Sequence, residues 1–115
     1  MSKIKTLKMN YEFKNVLTRG KYFFNSQVTV YVLCNKLGYN RVGIAISSKA
    51  DKAVRRNHIK RLIREAYRKI EKDLDRSYDI VIMWNKKLDT SKASYHKIYS
   101  NLENSFIKAR LLNQK

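Results

Sequence analysis

An apolar rhythm inside a strongly basic stretch is the feature that most constrains how this chain can fold. Residues 52–64 carry six Lys or Arg residues and no acidic residue. Apolar residues recur there and just beyond at helical spacing, at Ile59, Leu62, Ile63, Ala66, Tyr67 and Ile70. At roughly 100° per residue these positions fall in one arc, and the cationic positions fall in the neighbouring arc. The pattern predicts a helix over residues 51–70 that is buried on one side and cationic on the other.

The excess of positive charge over the whole chain indicates a polyanionic partner. The 115 residues include 26 Lys+Arg and 9 Asp+Glu, which gives a net charge of +17. Such a charge disfavours the compact state unless phosphates neutralise it. Membrane binding would need an exposed apolar face beside the charge, whereas the apolar side of this helix is committed to a core. We therefore expect nucleic acid rather than a membrane as the partner.

Length and cysteine content favour one domain in a reducing compartment. The chain fits a single RNA-binding domain spanning residues 1–115, with residues 1–8 as a basic N-terminal segment that can be flexible. The one cysteine, Cys34, lies in an apolar run and is expected to be a small buried side chain. A single cysteine excludes an internal disulfide. A lone thiol also suits the cytoplasm.

Short strands and helices alternate in the rest of the sequence. The expected elements are a helix over residues 11–18 capped by Asn10, a strand over 22–35 with a further short strand near 21–26, a strand over 41–47 antiparallel to the first, a buried central strand over 79–84, and a helix over 94–111. Together with the basic helix they follow the order α-β-β-β-α-β-α. This order predicts an α+β fold in which helices pack on a mixed sheet.

Aromatic residues crowd the first third of the chain among several cations. They are Phe13, Tyr22, Phe23, Phe24 and Tyr31. Aromatic side chains on a sheet or cleft wall can stack unpaired bases, at about 1–3 kcal/mol each. The other interpretation is core packing, and for Phe13 and Tyr31 both interpretations stay open. Phe23, Phe24 and Trp84 are expected to pack in the core.

Side chains for protein-based catalysis are scarce, and no catalytic residue is assigned. The only histidines are His58, inside the basic helix, and His96, expected on the surface of the last helix. Asp73, Asp75 and Asp79 straddle a helix end and a strand start, which favours solvated turn positions over a magnesium site. The sequence contains no phosphate-binding glycine loop and no nucleophile elbow. These observations disfavour a stand-alone nuclease.

Residues 56–65 closely resemble the signature helix of the bacterial ribonuclease P protein subunit. That family carries an Arg-Asn-Arg core followed by an Ile-Lys-Arg-like run, and this chain reads Arg-Asn-His-Ile-Lys-Arg-Leu-Ile-Arg-Glu. Weaker similarity covers most of the chain, including residues 41–47 and 78–82. His58 replaces the second arginine of this motif, so the charge at this position is expected to depend on pH.

The resemblance implies a fold, a function and a set of site residues. The fold is an α/β sandwich with a mixed four-stranded sheet and a left-handed crossover between parallel strands, an exception to the usual handedness. The function is to join a catalytic RNA and assist endonucleolytic removal of the 5′ leader of precursor tRNA, with Mg²⁺ bound mainly by the RNA, which performs the hydrolysis. No small-molecule cofactor is implied. RNA contacts are implied for Lys49, Lys52, Arg56, Asn57, His58, Lys60, Arg61, Arg64 and Arg68, and a leader cleft for Phe13, Leu17 and Tyr31.

A structural protein of the ribosome is the leading alternative of a different class. Such a protein would bind ribosomal RNA through its charge and take no part in a reaction. Proteins of that kind often carry basic extended tails. Here the charge lies on a patterned helix and the aromatic residues indicate a single-stranded path. Both features favour the ribonuclease P interpretation.

Overall fold

Five strands and three α-helices form residues 4–113, the part of the chain that the computed structural model describes. The strands are β1 (Lys5–Thr6), β2 (Lys21–Phe24), β3 (Val28–Cys34), β4 (Arg41–Ala45) and β5 (Tyr78–Trp84). The helices are α1 (Asn10–Arg19), α2 (Ala53–Glu71) and α3 (Tyr95–Lys108), and a 3₁₀ turn at Thr90–Lys92 precedes α3. The predicted α+β sandwich is confirmed, but its sheet has five strands rather than four.

The additional strand comes from the segment expected to be a basic N-terminal extension. Lys5 and Thr6 pair in parallel with Arg41 and Val42 at the edge of the sheet. Leu7 then turns into the core and is buried. A two-residue strand is too short to show an alternating pattern, so nothing in the sequence indicated it. Residues 1–3 of the predicted extension lie outside the described residues.

The central strand of the sheet is β5, and the strand order is β1-β4-β5-β3-β2. It pairs antiparallel with β3 and parallel with β4. Its apolar run suits a strand that is paired at both edges and covered on both faces, as predicted. The strand predicted over 41–47 does run antiparallel to β3 but does not neighbour it, because β5 lies between them. Helix α2 connects the parallel strands β4 and β5, and the handedness of that crossover stays a prediction.

The two faces of the sheet are covered unequally. Helices α2 and α3 pack on one face and enclose the main core, where Ile63, Ile82 and Phe106 are fully buried. Helix α1 alone packs on the other face, where Val16 and Val81 form a smaller core with Leu7. One face is therefore covered by two helices, and the other is covered only where the ten residues of α1 reach.

A network of side-chain amides fastens the turn between β2 and β3 to the rest of the molecule. The amide oxygen of Asn101 in α3 accepts hydrogen bonds from the backbone N–H groups of Gln27 (2.8 Å) and Val28 (3.2 Å). The Gln27 side chain donates to the Lys92 carbonyl at 2.9 Å and accepts from the Ser94 N–H at 3.0 Å. These bonds satisfy backbone groups that the turn would otherwise leave unpaired, and they fix the position of the edge hairpin.

Candidate nucleic-acid interface

The basic residues of α2 share one side of the helix, as the sequence predicted. At 100° per residue they span roughly 140° of its circumference, next to the arc that packs on the sheet. We call this set the cationic arc: Arg56, Lys60, Arg61, Arg64 and Arg68. Asn57 lies within the same arc and is exposed. The helix thus presents a continuous row of cations whose underside, Ile59, Ile63 and Ile70, is held in the core.

Most of the cationic arc is free of internal ion pairs. Arg61, Arg64 and Arg68 are exposed, and within residues 4–113 none of them makes a salt bridge to a carboxylate. Lys49 and Lys52, in the segment before α2, are likewise exposed. Cations without partners cost self-repulsion in the free protein and gain most when a polyanion approaches. The arc is therefore built to meet negative charge from outside.

Arg56 is the member of the arc that has an internal role. Its Nη1 donates to the carbonyl oxygens of Ser48 (2.9 Å) and Asp51 (2.6 Å) and so ties down the turn before α2. The Asp51 carboxylate in turn accepts hydrogen bonds from the Lys52 N–H and from the Thr90 hydroxyl. The bond from Thr90 is the main cause that lowers the pKa of Asp51. An RNA contact at Arg56 stays a prediction, and the fold also uses this guanidinium.

His58 lies outside the cationic arc. It is exposed on the flank of α2 that points away from Lys60 and Arg64. Its neighbours on that flank include Arg55, which lies 3.9 Å from Asp51. An RNA contact at His58 stays a prediction. It would require the RNA to contact more of the helix circumference than the cationic arc covers.

Arg41 is a cation of the opposite kind, because the fold surrounds it with carboxylates. Its Nε and Nη2 donate to the two oxygens of Asp79 at 2.8 and 2.7 Å, and its Nη1 donates to Glu12 at 2.6 Å. Asp79 is buried, so its predicted place in a solvated turn is wrong. The hydrogen bonds to Asp79 are the largest cause that raises the pKa of Arg41. The Arg41 guanidinium is therefore already engaged by two carboxylates and is not available to an anionic partner.

Glu12 links that cluster to the start of α1. Its Oε1 accepts hydrogen bonds from the backbone N–H groups of Lys8 (2.7 Å) and Met9 (2.8 Å). These two bonds, followed by the charge of Arg41, lower the pKa of Glu12. The helix begins one residue earlier than predicted, with Met9 rather than Asn10 at the cap position. Glu12 supplies the capping oxygen that was expected from Asn10.

The three residues implied for a leader cleft lie together on the α1 side of the sheet. Phe13, Leu17 and Tyr31 are half-buried around Val81. Phe13 covers Gly43 so closely that a Cβ atom at Gly43 would collide with its ring. Each of the three therefore has a packing role and also keeps an exposed portion. The interpretation as core residues is confirmed in part, and leader binding at these three residues stays a prediction.

A cleft of about 680 Å³ brings Phe13 and the cationic arc together. Its apolar wall includes Phe13, Gly43 and Ile44, and its cationic rim is formed by Lys60, Arg64 and Arg68. Leu17 and Tyr31 do not line this cleft and lie further along the sheet. The polar rim and apolar wall suit a ligand with both a phosphate and a base. The sequence placed these residues on separate elements, and only the packing of α1 and α2 about β4 shows that they meet.

Two predictions about individual side chains are wrong. Cys34, expected in the core, is exposed at the end of β3. Phe24, expected to pack, is 74 % exposed on β2. Phe23 and Trp84 do pack in the main core, as predicted. In the aromatic run of β2, alternate side chains face opposite sides of the sheet, and only one of those sides is covered there.

Nothing in residues 4–113 resembles a catalytic centre. No group of three or more His, Cys, Asp and Glu side chains in this part of the chain could hold a metal ion. His96 packs edge-on against Tyr95 at the start of α3, with ring centroids 5.9 Å apart, and lies on a different helix from His58. No helix in the same range has the length and apolar character needed to cross a membrane.

A small α+β sandwich with exposed, unpaired arginines along one helix has the features of a nucleic-acid-binding protein. Comparisons with known proteins agree. The family model Ribonuclease P matches residues 1–110. The ribonuclease P protein component of Clostridium botulinum strain 657 is 38% identical over 108 residues, which cover 93% of this chain and 96% of the relative. That of Clostridioides difficile strain 630 is 38% identical over 104 residues, covering 90% of each.

Solved structures give the same result. The ribonuclease P protein of Staphylococcus aureus has a TM-score of 0.79 at 29% identity, covering 96% of this chain and 100% of that one. The Thermotoga maritima protein, solved with 1-(4-fluorophenyl)-2-thiourea, has a TM-score of 0.78 at 29% identity, covering 95% and 99%. The chain belongs to the ribonuclease P protein family. It is part of an RNA–protein endoribonuclease that processes tRNA, and the alternative of a structural ribosomal protein is not supported.

Proposed function

We propose that the cationic arc binds the catalytic RNA and that the α1 side of the sheet holds the 5′ leader of precursor tRNA. The observation that carries this proposal is the meeting of unpaired cations and a half-exposed aromatic ring at one cleft, between Phe13 and the rim of Lys60, Arg64 and Arg68. Phosphates would lie on the rim, where guanidinium groups can donate two hydrogen bonds at once. Bases of an unpaired strand would meet the aromatic and apolar wall.

The proposal assigns the chemical step to the RNA. Within residues 4–113 no three His, Cys, Asp or Glu side chains form a group that could hold a metal ion, and Asp79 is already engaged by Arg41. The Mg²⁺ ions would therefore be held mainly by RNA phosphates, which are suitable oxygen ligands. The protein would contribute binding free energy and orientation of the substrate. We place this activity in the cytoplasm, which suits the single exposed thiol of Cys34.

Charge reversal on α2 tests the RNA-binding surface. Arg61→Glu with Arg64→Glu should weaken binding to the catalytic RNA and make the affinity less dependent on salt, by about 0.7–0.9 in the log–log slope for each phosphate that is no longer neutralised. The matched control is Lys97→Glu with Lys108→Glu, which removes the same charge from exposed positions of α3. An unchanged slope in the α2 variant, or an equal change in both variants, would count against the arc as the contact surface.

Reconstitution tests the division of labour. Cleavage of precursor tRNA is measured at low magnesium with the protein, the catalytic RNA, or both present. We expect cleavage that depends on the RNA and that is stimulated by the protein. Cleavage by the protein alone would overturn the assignment of the chemistry to the RNA. Absence of stimulation would overturn the proposed role of the protein in substrate binding.

A further inference from the structure

Two aromatic side chains on the edge strand β2 are largely exposed and belong to neither core. Tyr22 is 67 % exposed and Phe24 is 74 % exposed, and both lie on the α1 side of the sheet. Phe23, between them, turns to the opposite face and packs in the main core. Of these three aromatic residues, only Phe23 packs against the main core. Large aromatic side chains left exposed side by side on a rigid element indicate a binding surface.

The strand register connects these two residues to the rest of the sheet. One row across the strands runs Gly43, Val81, Tyr31, Tyr22, and the next runs Ala45, Met83, Thr29, Phe24. Helix α1 covers the β4 and β5 end of the first row, through Phe13 over Gly43. The Tyr22 and Tyr31 rings lie 6.1 Å apart at the other end. The aromatic surface therefore continues from the leader-cleft residue Tyr31 to the edge of the sheet.

The base of this surface is rigid. Asn85 receives a hydrogen bond from the Thr29 hydroxyl at 2.8 Å and donates to the Asn25 carbonyl at 2.6 Å. The Asn25 side chain donates to Ser105 in α3 at 2.8 Å. The strand end that carries Phe24 is thus fixed before any ligand arrives. A preorganised surface loses little conformational entropy on binding, which favours affinity.

Charge decides which partner this surface suits. Lys86 and Lys87 are exposed directly after β5, next to Asn85, whose side chain is hydrogen-bonded to Thr29 in the second row. A second copy of the chain could cover an exposed edge strand, but two molecules of net charge +17 repel each other. A strand of RNA brings phosphates to the lysines and bases to the rings. Aromatic residues interspersed with cations are the usual platform for unpaired nucleotides.

We propose that Tyr22 and Phe24 extend the leader path to the edge of the sheet and stack the bases of the leader that lie furthest from the cleavage site. This inference rests on the proposed function and adds a length requirement to it. From β4 to β2 the second row crosses three strand spacings, roughly 14 Å. Short leaders would end on Tyr31 or before it. Only longer leaders would reach Phe24.

Leader length is the variable that tests this inference. Precursor tRNAs with leaders of increasing length are bound to the assembled holoenzyme, and the affinity is measured for each. With the natural chain, affinity should rise with length and then level off. With Tyr22→Ser and Phe24→Ser together, the gain from the longest leaders should fall by about tenfold. Abasic sites at the distal leader positions should reproduce this loss in the natural chain and add nothing in the double variant.

Two controls separate the possible outcomes. Tyr39→Ser removes an exposed aromatic residue from the turn at the opposite end of the sheet and should leave the length profile unchanged. Phe13→Ala should weaken binding of short and long leaders alike. If Phe13→Ala weakens leader binding and the double variant keeps the natural length profile, the extension to Tyr22 and Phe24 is overturned while the proposed function stands. If neither Phe13→Ala nor the double variant changes leader affinity, the proposed leader cleft and its extension are both overturned. Sedimentation of the free protein completes the test, since loss of a dimer in the double variant without a leader effect would assign the surface to self-association.

Discussion

The two faces of the sheet differ in how completely they are covered, and the difference separates stability from binding. On the face under α2 and α3, Trp84, Ile98 and Phe106 are almost wholly excluded from water. On the face under α1, Phe13, Leu17 and Tyr31 stay half-exposed, and Tyr22 and Phe24 are open. Apolar surface that leaves water stabilises the fold, whereas apolar surface that stays in water can stabilise a complex.

The charged side chains also divide into a set that stabilises the fold and a set that stays exposed. The positive charge of Arg41 is paired inside the fold with the carboxylates of Glu12 and Asp79. Within residues 4–113, the exposed arginines of the cationic arc, Arg61, Arg64 and Arg68, make no salt bridge. A single chain therefore contains arginines that hold the protein together and arginines that are available to RNA. Substitutions in the two sets should have separable effects on unfolding and on binding.

The largest loss of stability is expected at the closed face. Phe106→Ala removes a fully buried ring that packs edge-on against Tyr67, with ring centroids 6.3 Å apart. The free energy of unfolding should fall by about 3–5 kcal/mol, measured by chemical denaturation. Tyr31→Ala, the matched aromatic substitution on the open face, should cost clearly less. Equal losses would show that the open face is as much a core as the closed one.

The next largest effect should come from the cluster of Arg41, Glu12 and Asp79. Arg41→Met leaves the buried carboxylate of Asp79 without its two guanidinium hydrogen bonds. We expect a loss of about 2 kcal/mol in the free energy of unfolding, less than for a fully buried pair because the guanidinium is partly solvated. Affinity for the catalytic RNA, measured under conditions where the variant is folded, should stay close to that of the natural chain. A large loss of RNA affinity in the folded variant would contradict the division between structural and binding arginines.

Phe13→Ala should affect both properties moderately. The half-buried ring packs over Gly43, so we expect a loss of about 1 kcal/mol in the free energy of unfolding. Its proposed stacking role predicts that affinity for leader-bearing precursor falls by about tenfold while affinity for mature tRNA changes little. Binding of both RNAs to the holoenzyme measures the difference. An equal loss for the two would show that Phe13 is only a core residue.

The smallest effect should be the pH dependence due to Glu12. The pKa of Glu12 in the folded protein lies below its ordinary value of 4.5. Its contribution to stability is therefore fully present above pH 4.5 and is lost as the pH falls through the lower folded value. Glu12→Gln should flatten this part of the unfolding profile, measured by denaturation from neutral pH to below 4.5. An unchanged profile would show that the capping carboxylate does not couple to folding.

Long periodic segments could be predicted from the sequence. The spacing of Ile59, Ile63 and Ile70 indicated both the length of α2 and the side that carries the cations. The apolar run that forms β5 indicated a strand covered on both faces. Both properties are determined by residues that are close together in the sequence, so a local pattern is enough to predict them. The motif at residues 56–65 also indicated the protein family.

Features that depend on contacts between distant segments could not be predicted. The insertion of β5 between β3 and β4 joins residues far apart in the chain, and no local pattern encodes it. The exposure of Phe24 depends on which face α1 leaves open. The pairing of Arg41 with Asp79 made one basic residue structural, although its residue type matches that of Arg61. Side chains were assigned correctly where one element determines their surroundings, and wrongly where two or three elements do.

The position of β5 at the centre of the sheet has a consequence for how the protein is made. Strands β3 and β4 leave the ribosome well before residues 78–84, the segment that both of them pair with. Until then, the edges of both strands lack their central partner, and α2 lacks part of the sheet on which it packs. The main sheet therefore cannot be completed until residues 78–84 have left the ribosome.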